Sequence, residues 1–372
     1  MLGGIRRRLV GVRALVACLA PLSASAQAAS LDTVPLPADS ATAIAAPRAA
    51  DDAGQARAGE PRASAVAAVA PQPAFAFFYG AHVPVAALST FDSVVVEPDS
   101  DFDPRAADTP HTAWLAYVSV GEVTTARAYY KDIPKAWLHG ENRAWGSAVV
   151  DQAAPKWPAF YVEHVIAPLW ARGFRGFFLD TLDSYQIVAK TDAERARQQA
   201  GIVAVIDAIK ARFPSARLML NRGFELLPRV HASVYAVAFE SLYRGWNQAQ
   251  QRYTEVTPAD RAWLMLQVDA AKAYGLPVVS IDYCPPADDV CARDTAARIR
   301  AAGVIPYVTG PALDVVGVGA LAERVRAPAR AERRDGSRSA QGAQVPRDAQ
   351  GWSGAHAAGP VQFVHVEADR AI

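Results

Sequence analysis

The chain has 372 residues but lacks the short motifs that mark many common catalytic sites. It contains no Gly-x-Ser-x-Gly elbow, no His-Glu-x-x-His and no phosphate-binding loop ending in Gly-Lys-Ser/Thr. The three cysteines and the dispersed histidines offer no spacing suited to a zinc site. These absences argue against a serine esterase, a zinc peptidase and a P-loop nucleotidase, and they predict a protein with no metal and no cofactor.

The chain also lacks an excess of either charge, with 38 lysines and arginines against 37 acidic residues. Removal of the four arginines in the N-terminal segment would change the formal charge from +1 to −3. Nucleic-acid binding needs a basic surface, so a nucleic-acid partner is not expected. Beyond the N-terminus no apolar run is long enough to span a bilayer, and we expect a monomer without a membrane span.

Residues 1–28 have the three parts of a secretory signal peptide. Three consecutive arginines form the basic part, an apolar stretch at 14–22 follows, and small residues at 24–28 offer a cleavage site. The sequence therefore predicts export to the periplasm or the extracellular space. A lipobox-like stretch ends at Cys18, but Arg13 leaves almost no apolar run before it, so a lipid anchor is not expected.

Segments 29–73 and 327–372 are rich in alanine, proline and charged residues, and we expect both to be disordered. Between them, 74–326 forms one domain of the size usual for a (β/α) barrel. This domain holds Cys284 and Cys291. In an oxidising compartment two nearby cysteines favour a disulfide, and the alternative is a pair of free buried thiols.

Short apolar runs recur through the domain, spaced widely enough for helices between most of them. Such runs are typical of strands buried on both faces of a parallel sheet. Alternating strands and helices predict an α/β fold, and eight strands favour closure into a (β/α)8 barrel of the TIM type over an open doubly wound sheet. The predicted strands are Phe75–Gly80, Ser93–Pro98, Trp114–Gly121, Gly176–Asp180, Arg217–Asn221, Val234–Glu240, Pro277–Tyr283 and Val304–Thr309.

Polar side chains lie at or just after the end of nearly every predicted strand. The carboxyl ends of barrel strands meet on one face, which holds the active site, so we expect these side chains to converge. The alternative for an acid at such a position is a structural role, in which it caps a helix or accepts a backbone N–H. The convergent set is Tyr79, Glu97, Glu122, Asp180, Asp183, Asn221, Glu240, Asp282 and Tyr307.

Asp180 and Glu240 differ from the other acids because each directly follows a run of apolar residues. An ionised carboxylate in such surroundings needs a partner or a function. Two convergent carboxyls without a metal or a nucleophile elbow indicate glycoside hydrolysis, and the catalytic pair is predicted to be Asp180 and Glu240. Aromatic side chains near the strand ends could stack on sugar rings or pack in the core. They are Tyr79, Tyr117, Tyr185, Tyr243, Trp246, Tyr283 and Tyr307.

The chain resembles glycoside hydrolase family 114, the endo-α-1,4-polygalactosaminidases, a family that includes the hydrolase domain of Pel exopolysaccharide proteins. The resemblance implies a (β/α) barrel, with Asp180 as nucleophile and Glu240 as acid/base of a retaining mechanism. The segments that carry it run in order through most of the domain. They are Phe78–Gly80, Phe91–Pro98, Ala116–Glu122, Gly173–Tyr185, Leu220–Phe224 and Phe239–Leu242.

A galactosamine polymer is cationic, and the sequence offers acids to meet it. Glu97, Glu122, Asp183 and Asp282 are expected to line a cleft that attracts the ammonium groups, with the other convergent residues contacting the sugar. Two alternatives stay open at this point. One is a carbohydrate-binding barrel without turnover, and the other is an exo-acting enzyme of the α-galactosidase type.

Overall fold

The computed structural model of the chain describes residues 72–319. The predicted signal peptide, the predicted C-terminal tail and nearly all of the predicted linker lie outside the described residues. The strands, in chain order, are β1 (Phe75–Phe78), β2 (Ser93–Val96), β3 (Ala113–Ser119), β4 (Glu122–Val123), β5 (Leu138–Asn142), β6 (Ser147–Val150), β7 (Gly176–Asp180), β8 (Arg217–Asn221), β9 (Ala236–Glu240), β10 (Arg244–Asn247), β11 (Arg252–Glu255), β12 (Val278–Tyr283), β13 (Ile305–Thr309) and β14 (Val318–Gly319).

One sheet forms the barrel, with its strands in the order β1-β2-β3-β7-β8-β9-β12-β13-β14. The first eight of these strands pair in parallel, and they coincide with the eight predicted ones. Every residue of β1, β2, β7, β9, β12 and β13 is buried, as expected for strands covered on both faces. The predicted α/β barrel is therefore confirmed, with the short antiparallel strand β14 added at one edge.

Helices follow most of the strands. They are α1 (Val85–Leu88), α2 (Trp157–Tyr161), α3 (Ala167–Arg172), α4 (Asp192–Arg212), α5 (Leu227–Val230), α6 (Pro258–Ala273) and α7 (Asp289–Ala301). A π-helical turn at Val162–Ile166 joins α2 to α3. Helix α4 begins at a capping box, in which Thr191 and Glu194 each accept the backbone N–H of the other. The first two crossovers are short, since α1 has four residues and no helix is described between β2 and β3.

Two small β insertions lie in loops that follow barrel strands. Strands β4, β5 and β6 form a three-stranded antiparallel sheet between β3 and α2. Strands β10 and β11 form a hairpin directly after β9, before α6 begins at its Thr257 cap. Because both insertions follow the carboxyl ends of strands, they belong to the face that holds the active site in this fold.

The loop after β12 is tied to the first turn of α7. Cys284 and Cys291 form a disulfide there, with their Cα atoms 6.0 Å apart. The side chain of Asp288 caps the same helix by accepting the N–H of Cys291. Among residues 72–319 no helix has both the length and the apolar character needed to cross a bilayer.

A tyrosine side chain closes the barrel between β13 and β1. The hydroxyl of Tyr307 donates to the carbonyl oxygen of Phe77 at 2.8 Å and accepts the N–H of Gly317 at 3.0 Å. The N–H of Tyr79 adds a backbone bond to the carbonyl of Leu313 at 2.7 Å. Tyr307 is fully buried among aromatic rings. Its predicted contact with substrate is therefore corrected to a structural role at the junction of β13 with β1, which we call the seam.

The seam predicts the effect of removing this hydroxyl. In Tyr307→Phe the ring still fills its site, but two hydrogen bonds are lost from a largely buried environment. We expect the free energy of unfolding to fall by about 1–2 kcal/mol, measured by chemical denaturation. Tyr235→Phe is the matched control, because that half-buried hydroxyl has only a 3.3 Å contact with Ser93. Equal stability of Tyr307→Phe and the wild type would show that the seam does not depend on this residue.

Candidate active site

Three polar side chains lie at the ends of three neighbouring barrel strands. Asp180 is the last residue of β7, Asn221 the last of β8 and Glu240 the last of β9. Because β8 pairs with β7 on one side and with β9 on the other, Asn221 stands between the two acids. The exposed fraction of Asp180 is 4% and that of Glu240 is 5%. The parallel pairing thus brings two buried carboxyls together around one amide.

The amide of Asn221 contacts both carboxyls. Its Nδ2 is 2.8 Å from Oδ1 of Asp180 and 3.4 Å from Oε1 of Glu240, so these two carboxyl oxygens lie within about 6 Å of each other. Tyr117 on β3 donates its hydroxyl to Oδ2 of Asp180 at 2.7 Å. Tyr283 at the end of β12 donates to Oε2 of Glu240 at 2.8 Å. Each acid therefore accepts a hydrogen bond from its own tyrosine, and both acids contact the amide of Asn221.

Burial and mutual repulsion change the protonation of this pair. Burial raises the pKa of Asp180 to about 6, although hydrogen bonds from Tyr117, the Thr181 backbone and Asn221 favour its ionised form. Burial raises the pKa of Glu240 well above its ordinary value, and the nearby Asp180 carboxylate adds to the effect. Burial and mutual repulsion therefore disfavour the state in which both carboxyls are ionised.

The backbone after each of two strands turns into the left-handed region. Thr181 has φ 59° and Arg222 has φ 56°, directly after Asp180 and Asn221. Non-glycine residues rarely adopt such angles, and other contacts must hold them there. The Thr181 hydroxyl lies 2.7 Å from the Ser119 hydroxyl and accepts the N–H of Gly121, while Arg222 donates to the carbonyl of Glu240 at 2.6 Å. These contacts fix the backbone directly after Asp180 and Asn221, and so the directions in which these two side chains point.

Glu122 anchors the loops around the site. Its carboxylate is buried and accepts hydrogen bonds from Asn142, Ser147 and Ser184. Asn142 and Ser147 belong to the inserted sheet, whereas Ser184 follows β7. The predicted contact between Glu122 and an ammonium group is therefore corrected: the acceptor capacity of this acid serves to join two loops.

Asp282 has a similar structural role at the loop that follows Glu240. Its fully buried carboxylate accepts the backbone N–H groups of Leu242, Tyr243 and Arg244, at 3.0, 2.7 and 2.7 Å, and the hydroxyl of Ser280 at 2.6 Å. Four donors saturate a carboxylate. Asp282 holds the start of the β10–β11 hairpin, which corrects the expectation that it faces substrate.

The remaining predicted acids differ in how far protein partners neutralise them. Glu97 forms a two-oxygen ion pair with Arg127, at 2.6 and 3.0 Å, which corrects its predicted role as a free negative charge. Arg127 also contacts Asp99 at 2.7 Å. Asp183 is half-buried, and within residues 72–319 no other side chain hydrogen-bonds to its carboxylate or lies within 4.0 Å as an ion pair. Burial raises the pKa of Asp183, and the charge of Arg222 opposes that effect. Of the four predicted acids, Asp183 is the one whose carboxylate has no hydrogen-bonded side-chain partner among the described residues.

The two other predicted tyrosines lie in different surroundings. Tyr79 is half-buried, its ring meets Tyr117 edge-on at 5.2 Å, and Asp180 and Glu240 both raise the pKa of its hydroxyl after the larger effect of burial. It therefore lies near the carboxyl pair. The guanidinium groups of Arg261 and Arg298 lie 5.1 and 4.3 Å from the ring centre of Tyr243. The ring therefore packs against side chains of α6 and α7, which replaces its predicted contact with a sugar by a packing role.

Sequence reasoning missed the polar roles of Tyr283, Thr181 and Arg222. Tyr283, the last residue of β12, is one of the aromatic side chains near the strand ends, but the sequence indicated it only for stacking on a sugar or packing in the core. No local pattern marks the left-handed backbone at Thr181 and Arg222, because neither is a glycine or an asparagine. Across residues 72–319, no group of three or more histidine, cysteine or acidic side chains is arranged to hold a metal ion.

A parallel barrel with a buried carboxyl pair at its strand ends is the arrangement of a two-carboxylate glycosidase. The sequence model of glycoside hydrolase family GH114 matches residues 56–323. The chain belongs to family GH114 and is a glycoside hydrolase.

Two relatives are similar over most of their own length. The glycoside hydrolase domain of PelA from Pseudomonas aeruginosa is 38% identical, with a TM-score of 0.61 over 67% of this chain and 98% of that domain. An uncharacterised protein of Deinococcus radiodurans is 31% identical over 244 residues, which are 61% of this chain and 75% of the relative. Aspergillus fumigatus Ega3, solved with galactosamine, is more distant, at 12% identity and a TM-score of 0.47 over 67% of this chain and 95% of that one.

The raised pKa of Asp180 predicts a gain in stability when its charge is removed. The folded chain binds this proton more tightly than the unfolded chain, so stability is lost as pH rises from about 4 through about 6. Asp180→Asn removes the buried charge, and its amide can still accept from Asn221 and donate to Tyr117. At pH 7.5 we expect the free energy of unfolding to increase by up to about 3 kcal/mol.

The gain should disappear near pH 4, where the aspartic acid is itself neutral. Chemical denaturation of both proteins at the two pH values measures the difference. Asp99→Asn is the control, because its 64% exposed carboxylate should give a much smaller change. A gain of equal size at both pH values would contradict the assignment to buried charge.

Proposed function

We propose that the protein is an exported, endo-acting hydrolase of α-1,4-linked polysaccharide rich in galactosamine and N-acetylgalactosamine. The observation that carries the catalytic part is the buried pair of Asp180 and Glu240, held within about 6 Å by Asn221. Membership of family GH114 and the likeness to the PelA hydrolase domain support a polysaccharide substrate.

A retaining mechanism is compatible with the upper limit of about 6 Å between Oδ1 of Asp180 and Oε1 of Glu240. Retaining pairs lie about 5–5.5 Å apart, whereas inverting pairs lie about 6.5–9.5 Å apart to admit a water between carboxyl and sugar. In the first step the Asp180 carboxylate bonds to the anomeric carbon, while Glu240 gives its proton to the departing glycosidic oxygen. In the second step Glu240 takes a proton from water, the water oxygen bonds to the anomeric carbon, and the bond to Asp180 breaks.

The electrostatics of the site favour these roles over the reverse. The nucleophile must be ionised and the acid protonated at the working pH. Burial raises the pKa of Asp180 only to about 6, whereas burial and the Asp180 charge together hold the pKa of Glu240 well above its ordinary value. Both effects favour an ionised Asp180 beside a protonated Glu240, which is the protonation that the first step needs.

Recognition of a cationic sugar rests on fewer acids than the sequence indicated. Glu97, Glu122 and Asp282 are engaged by protein partners, so they offer little to an ammonium group. Asp183 follows Asp180 by three residues and keeps a carboxylate without a side-chain partner among the described residues. We therefore propose Asp183 as the acid that meets the amine of the substrate.

Export is proposed from the N-terminal pattern at 1–28, which lies outside the described residues. The disulfide between Cys284 and Cys291 supports an oxidising destination, because such bonds persist in the periplasm and outside the cell.

The catalytic proposal predicts large losses of activity in two conservative variants. Asp180→Asn cannot form the covalent bond, and Glu240→Gln cannot supply the proton. Release of reducing ends from a galactosamine polymer should fall by roughly a thousandfold or more in each. Asp99→Asn, an exposed acid outside the pair, should keep wild-type activity. Activity within tenfold of the wild type in either conservative variant would refute the site.

The substrate proposal predicts a specific loss in Asp183→Asn. The wild type should cleave a largely deacetylated polymer faster than a fully acetylated one at low salt, because the ammonium groups are attracted to the site. Asp183→Asn should lose most of this preference while it keeps the rate on the acetylated polymer, and Asp99→Asn should retain the preference. Equal wild-type rates on the two polymers would contradict amine recognition and leave the catalytic assignment intact.

A further inference from the structure

The amide of Asn221 is the hydrogen-bond donor that both catalytic carboxyls share. Asp180 receives a further hydrogen bond from the Tyr117 hydroxyl, and the neighbouring Thr181 backbone N–H also favours its ionised form. Glu240 receives one further donor, the Tyr283 hydroxyl. The Tyr117 hydroxyl donates to Asp180 at 2.7 Å, and the Tyr283 hydroxyl donates to Glu240 at 2.8 Å. The Asn221 amide contacts both acids, at 2.8 Å on one side and 3.4 Å on the other.

The two carboxyls also determine which way the Asn221 amide points. Its Nδ2 faces Asp180 and Glu240, while its Oδ1 is buried without a hydrogen-bond partner within the described part of the chain. A buried acceptor without a donor costs free energy, so some stronger constraint must impose this orientation. Rotation of the amide would bring Oδ1 against carboxyl oxygens, which are acceptors. The amide is thus oriented to donate to the two carboxyls, although this orientation leaves its own oxygen without a hydrogen bond among the described residues.

We propose that Asn221 is a positioning residue whose Nδ2 donates its hydrogen bond to whichever carboxyl is ionised. That carboxyl is Asp180 before the first step of the reaction and Glu240 before the second. The inference rests on the proposed retaining mechanism. Before the first step Asp180 is ionised, and Nδ2 lies closer to it. Once Asp180 has become a neutral ester and Glu240 has given up its proton, the charge is on Glu240. A shift of a few tenths of an ångström would then bring Nδ2 to full hydrogen-bond distance from Oε1.

The other charged and titratable groups near the pair act on it in different ways. Tyr79, directly after β1, interacts with both acids through space, but among the described residues no hydrogen bond joins its hydroxyl to either carboxyl. Glu122 acts on Asp180 from β4, whereas Arg222 acts on Glu240 and on Asp183 and donates to the carbonyl oxygen of Glu240. Loss of Asn221 is therefore expected to differ from loss of either tyrosine donor, Tyr117 or Tyr283, because it affects both acids.

The signature lies in the pH profile of kcat/KM. Loss of the shared donor disfavours the ionised forms of both acids, so both pKa values rise and both limbs of the bell-shaped profile move to higher pH. Tyr117→Phe should move the acid limb alone, since it removes a donor from Asp180. Tyr283→Phe should move the alkaline limb alone, since it removes a donor from Glu240.

Asn221→Leu keeps the volume of the side chain without its donor, and Asn221→Ala is a second variant in case the first does not fold. In each we expect both limbs to move upward and kcat/KM at the optimum to fall roughly tenfold to a hundredfold on a galactosamine polymer. Circular dichroism checks the fold. A fall in rate with both limbs at their wild-type positions, or with only one limb moved, would overturn the proposal.

A measurement without substrate separates this inference from the proposed function. The carboxyl carbons of aspartate and glutamate are labelled with carbon-13 in the full chain and titrated by NMR. The signals of the pair are assigned by their loss in Asp180→Asn and Glu240→Gln. We expect both titration steps to move upward in Asn221→Leu, and unmoved steps would overturn the shared-donor role. If the wild type titrates as expected but does not cleave the polymer, the proposed substrate is refuted and the shared-donor role of Asn221 is not.

Discussion

Burial of two carboxyl groups at the ends of neighbouring parallel strands is the constraint on which the rest of the site depends. Asp180 and Glu240 are 4% and 5% exposed and lie within about 6 Å of each other. Water cannot screen them there, so they cannot both be ionised at low cost. The two carboxyls must share one proton, and the hydrogen bonds from Tyr117, Asn221 and Tyr283 influence how readily each carboxyl ionises. The chemistry proposed for the enzyme follows from that arrangement.

The loops around the pair are fixed by other buried acids that do no chemistry. Glu122 joins the inserted sheet to the loop after β7, and Asp282 holds three backbone N–H groups directly after Glu240. A carboxylate suits this task because it accepts several hydrogen bonds at once. Buried acids therefore have two roles around this site, catalysis and the anchoring of loops. The anchoring acids are recognised by their donors, which are backbone N–H groups and side chains of the loops that they hold.

The barrel could be predicted from the sequence because its eight parallel strands are uniformly apolar runs. Asp180 and Glu240 could be predicted for the same reason, as each ends such a run. The roles of Glu122 and Asp282 could not, since an anchoring acid and a substrate-facing acid occupy the same kind of strand-end position. Tyr307 was misassigned on the same ground. Its hydroxyl closes the seam through contacts with Phe77 and Gly317, 230 and 10 residues away in sequence, which no local pattern records.

The configuration of the first product tests the central claim most directly. Proton NMR of a defined α-1,4-linked galactosamine oligomer, recorded in the first minutes of hydrolysis, distinguishes the α from the β anomer before the two interconvert. If Asp180 and Glu240 are spaced for covalent catalysis, the α anomer appears first and the β anomer accumulates only later. Initial release of the β anomer would contradict the account, because it requires a water between the sugar and a more distant carboxylate.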